Sequence, residues 1–278
     1  MRLPWKRAGR PKLRTPDDRM TLTEHLAELR MRIIRSALAV SVGFIIVMAF
    51  YGPILEFLKE PYVRVCRENP DYECDGALAI LGPLEGFSTR MRIALYGGII
   101  FAIPVILWQV WKFIVPGLEA RERRYAIPFI VSVVALFALG GVIAYWTLDK
   151  SLEFLIEFSG PDVDQVFQIS KYISLVGLMI AAFGIGLEFP VLLVFLQLAG
   201  VLDHRMLFRQ WRLAIVIIVA TAAIITPSGD PISLAALSVP MIVFYFVAAL
   251  IGRFVQRRRE ATDEAEAAGE SATKAGAT

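Results

Sequence analysis

Apolar positions in this chain come in long unbroken runs, separated by short stretches rich in arginine, proline and glycine. A helix needs about 20 largely apolar residues to cross a hydrocarbon core about 30 Å thick. Six windows approach that requirement: 36–55, 93–115, 125–148, 173–201, 213–226 and 232–252. The fifth is short, since about 14 residues rising about 1.5 Å each reach only about 21 Å. Either the bilayer thins around it or the helix extends into its flanks.

Ahead of the first window the pattern changes. In "TLTEHLAELRMRIIR", Leu22, Leu26, Leu29 and Ile33 fall on one helical stripe, while Glu24, Glu28, Arg32 and Arg35 fall on another. Thr21 followed three residues later by Glu24 is a capping box that starts a helix at about Leu22. This predicts a short amphipathic helix that enters the membrane at its C-terminal end. Beyond the last window, "EATDEAEAAGESATKAGAT" is small, polar and free of aromatics, so it predicts a disordered tail. The expected layout is a basic lead over 1–20, a membrane domain over 21–253 and the tail over 254–278.

Composition sharpens the class. With 56% hydrophobic residues in 278, the chain is far too apolar for an ordinary soluble domain and reads as an all-α integral membrane protein. Lysine and arginine set its orientation. They gather in the N-terminal lead, at Lys112, Arg121, Arg123 and Arg124, at Arg205, Arg209 and Arg212, and at Arg253, Arg257, Arg258 and Arg259. All four groups fall on one side of a six-span chain, so both termini are expected in the cytoplasm. The first apolar run begins too late for a cleavable signal peptide and acts as its own insertion signal. Cys66 and Cys74 lie in the first external loop, where an oxidising compartment permits a disulfide, the alternative being two free thiols. Without a nearby histidine they make no metal set.

The sequence offers little for catalysis. It has no phosphate-binding loop, HExxH pair or GxSxG elbow, and neither a cofactor nor a nucleic acid is called for. Gly184 and Gly186 suit close helix packing rather than a nucleotide fingerprint. Three carboxylates remain to be explained. Glu28 either pairs with Arg32 one turn on or serves a ligand. Glu122, in "PGLEARERRY", moderates a basic loop whose orienting role gains nothing from acids. Glu188, beside Pro190 in "FGIGLEFPV", stands mid-span, where a charge costs roughly 3 kcal/mol or more.

The ordered stretches "HLAELRMRI", "PVILWQVWKFIVPGLEARERR", "FGIGLEFPV" and "TPSGDPIS" together resemble the TatC family, the multi-spanning receptor subunit of the twin-arginine protein translocase. The resemblance runs from about Thr21 to Arg253. It implies a cupped, concave arrangement of six helices in the plasma membrane. It further implies that Glu28 and Glu122 receive the arginine pair of a signal peptide at the cytoplasmic face, supported by Arg30, Arg124, Phe113, Pro61, Pro104 and Tyr145. The implied partners are TatA-like and TatB-like single-span subunits, membrane lipid and further copies of the chain. Glu188, with Thr226 and Ser233, would contact partner helices or form an intramembrane polar site.

Two departures bear on that docking mode. Leu234 stands where many relatives place glutamine, and Gly229 lengthens the turn. Physical chemistry favours the receptor role, because guanidinium groups fork onto carboxylates in a way that lysine cannot imitate. The rival from another class is a proton-coupled small-molecule transporter built on Glu188. An intramembrane enzyme is weaker still, for want of a nucleophile and base.

Overall fold

The protein is described by a computed structural model covering residues 22–69, 77–114, 126–160, 166–198, 202 and 204–275. Apart from one isolated bridge between Ala79 and Gln168, the described residues build only helices. In chain order these are α1 (Leu22–Ala49), α2 (Tyr51–Glu68), α3 (Glu85–Ile114), α4 (Ala126–Ser159), α5 (Ile169–Gly186), α6 (Phe189–Leu198), α7 (His204–Arg209), α8 (Trp211–Ile225) and α9 (Pro231–Ala275). Five segments are long and apolar enough to cross a membrane: one each in α1, α3, α4 and α9, and one over Ile169–Gln197 that spans α5 and α6. α8 is apolar but shorter, at 15 residues. The six-span expectation therefore resolves into five full spans and this short helix among the described residues.

Helix α1 begins at Leu22 and runs without a break through the amphipathic segment into the apolar one. It packs antiparallel on α3 through an unusually close approach. A Cβ added at Gly43 would lie 2.7 Å from the Gly98 carbonyl oxygen, and one added at Gly98 would lie 2.7 Å from the Phe44 amide nitrogen. Side chains are excluded from both positions, which lets the two backbones touch and gain dispersion contact that lipid cannot supply.

Three differences from the sequence reading have physical causes. The first concerns α2, which occupies a stretch expected as loop. Ile54, Leu58, Tyr62 and Val65 recur at helical spacing and pack inward, so burial outweighs the breaking tendency of Pro53 and Pro61. The second concerns the 173–201 window, which is not one rod. Pro190 restricts the residues before it, and the chain turns at Leu187 and Glu188 between α5 and α6. The third is at the C-terminus, where a disordered tail was expected and α9 instead continues through Ala275. Alanine, glutamate and arginine, abundant there, are strong helix formers that prolong a helix already nucleated.

At the end of the bundle away from Leu22, α2 and the segments flanking α5 form a cap. Arg64 pairs with Asp149 at 2.6 Å, and the Tyr172 hydroxyl donates to the Leu58 carbonyl at 2.7 Å. Glu85 accepts from the backbone N–H groups of Leu81 at 2.7 Å and Ser170 at 3.2 Å, joining the starts of α3 and α5. Cys66 is buried near the end of α2 and disulfide-bonded; Cys74 lies outside the described residues.

Candidate functional site

The α1–α3 register brings the first candidates together. Gly43 faces Gly98, and stepping 15 residues in opposite directions along the antiparallel pair (43 − 15, 98 + 15) leads to Glu28 and Phe113. The structure keeps that register, since the Phe113 ring stacks on the His25 imidazole at 4.3 Å. Glu28 shares its Oε1 with Arg32 Nη2, one turn on. Its Oε2 is sheltered from solvent and has no hydrogen-bond partner among the described residues. Arg30 is exposed on the neighbouring face. The pairing with Arg32 thus occupies one oxygen and leaves the other as an acceptor without a donor among the described residues. Glu122 and Arg124 lie outside the described residues.

Glu188 occupies the turn between α5 and α6 and lines a cavity of about 540 Å³. Neither carboxylate oxygen has a hydrogen-bond partner among the described residues. Around it stand Leu107 and Val110 of α3, Val133 of α4, Ile218 and Thr221 of α8 and Met241 of α9. The hollow is thus an apolar pocket with one acidic group, opening between helices that do not close on one another.

The third group sits in the "TPSGDP" turn between α8 and α9. Gly229 has φ +62°, a conformation that disfavours any residue with a Cβ. Asp230 then precedes Pro231, an N-cap residue followed by the proline suited to the first helical position. Its Oδ1 accepts from the Ser233 backbone N–H at 2.7 Å and from the Ser151 hydroxyl of α4 at 3.3 Å. Ser233, wholly buried, has its hydroxyl 2.6 Å from that of Ser151 and accepts from Ser228 at 3.1 Å. Burial alone would raise the Asp230 pKa, but the hydrogen bonds from Ser228, Ser233 and Ser151 outweigh it and hold the carboxyl below its usual value. The Thr226 hydroxyl donates to the Ala222 carbonyl at 2.7 Å.

Known proteins are similar to this chain in sequence and fold. The family model described as "Sec-independent protein translocase protein (TatC)" matches residues 24–240. A relative from Frankia casuarinae named Sec-independent protein translocase protein TatC is 38% identical over 248 residues, covering 87% of this chain and 68% of the relative. One of the same name from Koribacter versatilis is 36% identical over 252 residues, covering 89% and 92%. A crystal structure of the twin-arginine translocase receptor TatC superposes with a TM-score of 0.67 at 34% identity, over 84% of this chain and all of that one. The chain belongs to the TatC family. It is accordingly a multi-pass membrane protein of a protein translocase family.

Within the TatC frame, the residues that resemblance grouped around the signal peptide divide. Glu28 and Phe113 share one end of the α1–α3 pair. Pro61 does not join them: it is buried inside α2, which begins where α1 finishes. α1 is 28 residues, about 42 Å at about 1.5 Å per residue, so Pro61 serves the opposite end. Tyr145 goes with it, stacked on Phe57 at 4.4 Å and donating to the Phe57 carbonyl at 2.9 Å. Pro104 is exposed midway along α3. Ser233 is closed into a network inside the protein, with no face left for a partner helix. Sequence reasoning missed Ser151 and Asp230; the Asp-Pro pair was a legible helix-start signal, whereas Ser151 left no local trace. It also missed Gln197, buried on α6, whose side-chain amide donates to the Ala248 carbonyl of α9 at 3.1 Å.

Proposed function

We propose that this chain is the receptor subunit of a twin-arginine translocase, binding signal peptides at the end of the bundle that holds Glu28. The observation that carries the reading is the sheltered Glu28 carboxylate, which keeps one oxygen on Arg32 and offers the other. A guanidinium arriving there makes a charge-assisted hydrogen bond where water competes poorly, which strengthens it. Glu122, in the segment joining α3 to α4, supplies the second acid, so two arginines at set spacing are required rather than net positive charge. Arg30 and Arg124 support the same reading by their motif positions, and the His25–Phe113 stack fixes the α1 and α3 ends against each other. This end faces the cytoplasm of the plasma membrane, with both termini on that side, as the distribution of lysine and arginine requires.

The cavity at Glu188 is the seat for a single-span partner, with TatA-like and TatB-like subunits as occupants and further copies of the chain in the complex. A proton-coupled transporter gains no support here. Among the described residues lining the cavity, Glu188 is the one ionisable group, and a relay needs a second.

The test is direct. Purified protein in lipid nanodiscs is titrated with a fluorescent signal peptide carrying an arginine pair, and with the same peptide carrying a lysine pair. Saturable binding of the first and weak binding of the second is expected. Equal affinity for both peptides would refute the divided clamp.

A further inference from the structure

A second cationic feature lies two turns below Glu28, on the outer side of the α1–α3 pair. Ile34, Leu38 and Val42 of α1 face Phe101 and Val105 of α3 across a groove of about 390 Å³. Ala39 and Ala102 also line it, and their small side chains leave the groove open. One charged residue, Arg35, lines it as well. Arg35 is exposed, and no hydrogen bond, ion pair or ring contact reaches it among the described residues. Glu28, an acid on its stripe two turns away, is paired with Arg32 and not with Arg35.

An arginine without a partner at the edge of an apolar groove is costly in lipid, and the cost falls when the guanidinium meets an anion at the membrane interface. The surroundings mark that level. Trp108 and Lys112 continue the α3 stripe of Phe101 and Val105 at helical spacing, and the Lys112 ammonium lies 5.1 Å from the Trp108 ring centroid. Tryptophan beside lysine is a headgroup-level pair, with the indole at the acyl boundary and the cation among phosphates. The groove therefore offers an apolar channel along the acyl region, a guanidinium at its side and an ammonium nearer the water.

We infer that the α1–α3 groove is a binding site for an anionic phospholipid of the leaflet at the Glu28 end, its phosphate forked by Arg35 and one acyl chain laid between Leu38, Val42, Phe101 and Val105. Charge complementarity selects this occupant. A basic signal segment would be repelled by Arg35 and Lys112, and a zwitterionic lipid brings no net charge to neutralise them. The phosphate takes two parallel N–H donors from arginine, a geometry that lysine cannot reproduce. The site stands independently of the signal-peptide reading, because neither Glu28 nor Glu122 belongs to it.

The test uses the full chain in mild detergent, with lipid occupancy read by native mass spectrometry against phosphatidylglycerol and phosphatidylcholine of matched acyl chains. Wild type should retain phosphatidylglycerol at least about fivefold better. Arg35→Gln should bring the two lipids to parity, whereas Arg209→Gln, an exposed arginine outside the groove, should leave the preference unchanged. Ala39→Phe, which fills the channel but keeps the charge, should lose both lipids at this site. Soluble glycerol phosphate at the same concentration should not compete. Equal retention of the two lipids by wild type overturns the proposal without any variant. So does a preference that survives Arg35→Gln, competition by glycerol phosphate, or a photocrosslinker at Leu38 that captures a polypeptide in place of lipid in native membranes.

Discussion

Two carboxylates near helix ends, Glu28 on α1 and Asp230 before α9, invite the same description and behave differently. Asp230 is 2% exposed, and its Oδ1 is met by the Ser233 backbone and the Ser151 hydroxyl, with Ser228 a further contributor. The donors to Oδ1 come from α4 and α9, so that oxygen holds α4 to the α8–α9 turn, while Oδ2 has no partner among the described residues. Glu28 has one donor, on its own helix, and an oxygen left over. Each acid keeps one oxygen without a partner among the described residues, so what differs is the other oxygen: that of Asp230 joins α4 to α9 as a fastener, and that of Glu28 bonds only within α1. Asp230 is buried and Glu28 half-buried, and the source of their donors separates them further.

The largest expected effect tests the receptor side. Glu28→Ala should weaken binding of an arginine-pair signal peptide by about 10- to 100-fold, because a hydrogen bond to a charged group is worth about 1.5–3 kcal/mol. The melting temperature should move little, since the Glu28–Arg32 pair is an i,i+4 contact worth about 0.5 kcal/mol. Titration in nanodiscs, with a thermal melt of the same sample, reads both. A variant that melts early and binds normally would reverse the assignment of the two ends.

The fastener side predicts the opposite pattern. Ser233→Ala removes the hydroxyl that meets Ser151 and Ser228, and should lower stability by about 1–2 kcal/mol while leaving peptide affinity unchanged. Acid sharpens this further. The folded Asp230 carboxyl lies below its usual value, so its stabilising contribution is fully present above the unfolded value of about 4 and is lost as pH falls through the lower folded value. Asp230→Asn keeps an N-cap side chain but cannot ionise, so its melting temperature should vary less with pH than that of wild type over this acidic window. Parallel melting curves for the two proteins would show that Asp230 is no fastener.

The difference between the ends also explains what was legible in the chain. Thr21, Glu24 and the leucine stripe point to a helix because capping and periodicity are local, and the described residues from Leu22 onward are helical. Pro190 is an equally local signal, yet the 173–201 window reads as one span and the break between α5 and α6 emerges only in the structure. α2 was read as loop because two prolines and scattered charges obscure the Ile54, Leu58, Tyr62 and Val65 stripe, and only packing against the cap decides in its favour. Pro61 was assigned to the wrong end because a motif position carries no coordinate across a helix of 28 residues. The Ser151–Asp230 contact joins residues 79 apart, and no pattern in either segment points to the other. What a side chain does alone could be read, whereas what it does with a distant partner required the fold.

The smallest expected effect tests whether the Glu28 end is held in readiness by its neighbours. The His25–Phe113 stack joins the α1 and α3 ends, and such a pair contributes about 0.5–1.5 kcal/mol beyond its burial. Phe113→Leu keeps most of the apolar volume and removes the stacking face. Glu28 retains its charge and its bond to Arg32 but gains freedom relative to α3, and the cost appears as ordering on binding. Peptide affinity should therefore fall about threefold, with stability almost unchanged, and His25→Leu should reproduce the loss. The double variant should be no worse than either single one, because both remove the same contact. Additive losses would mean that the two rings act separately, and the receptor end would then rest on α1 alone.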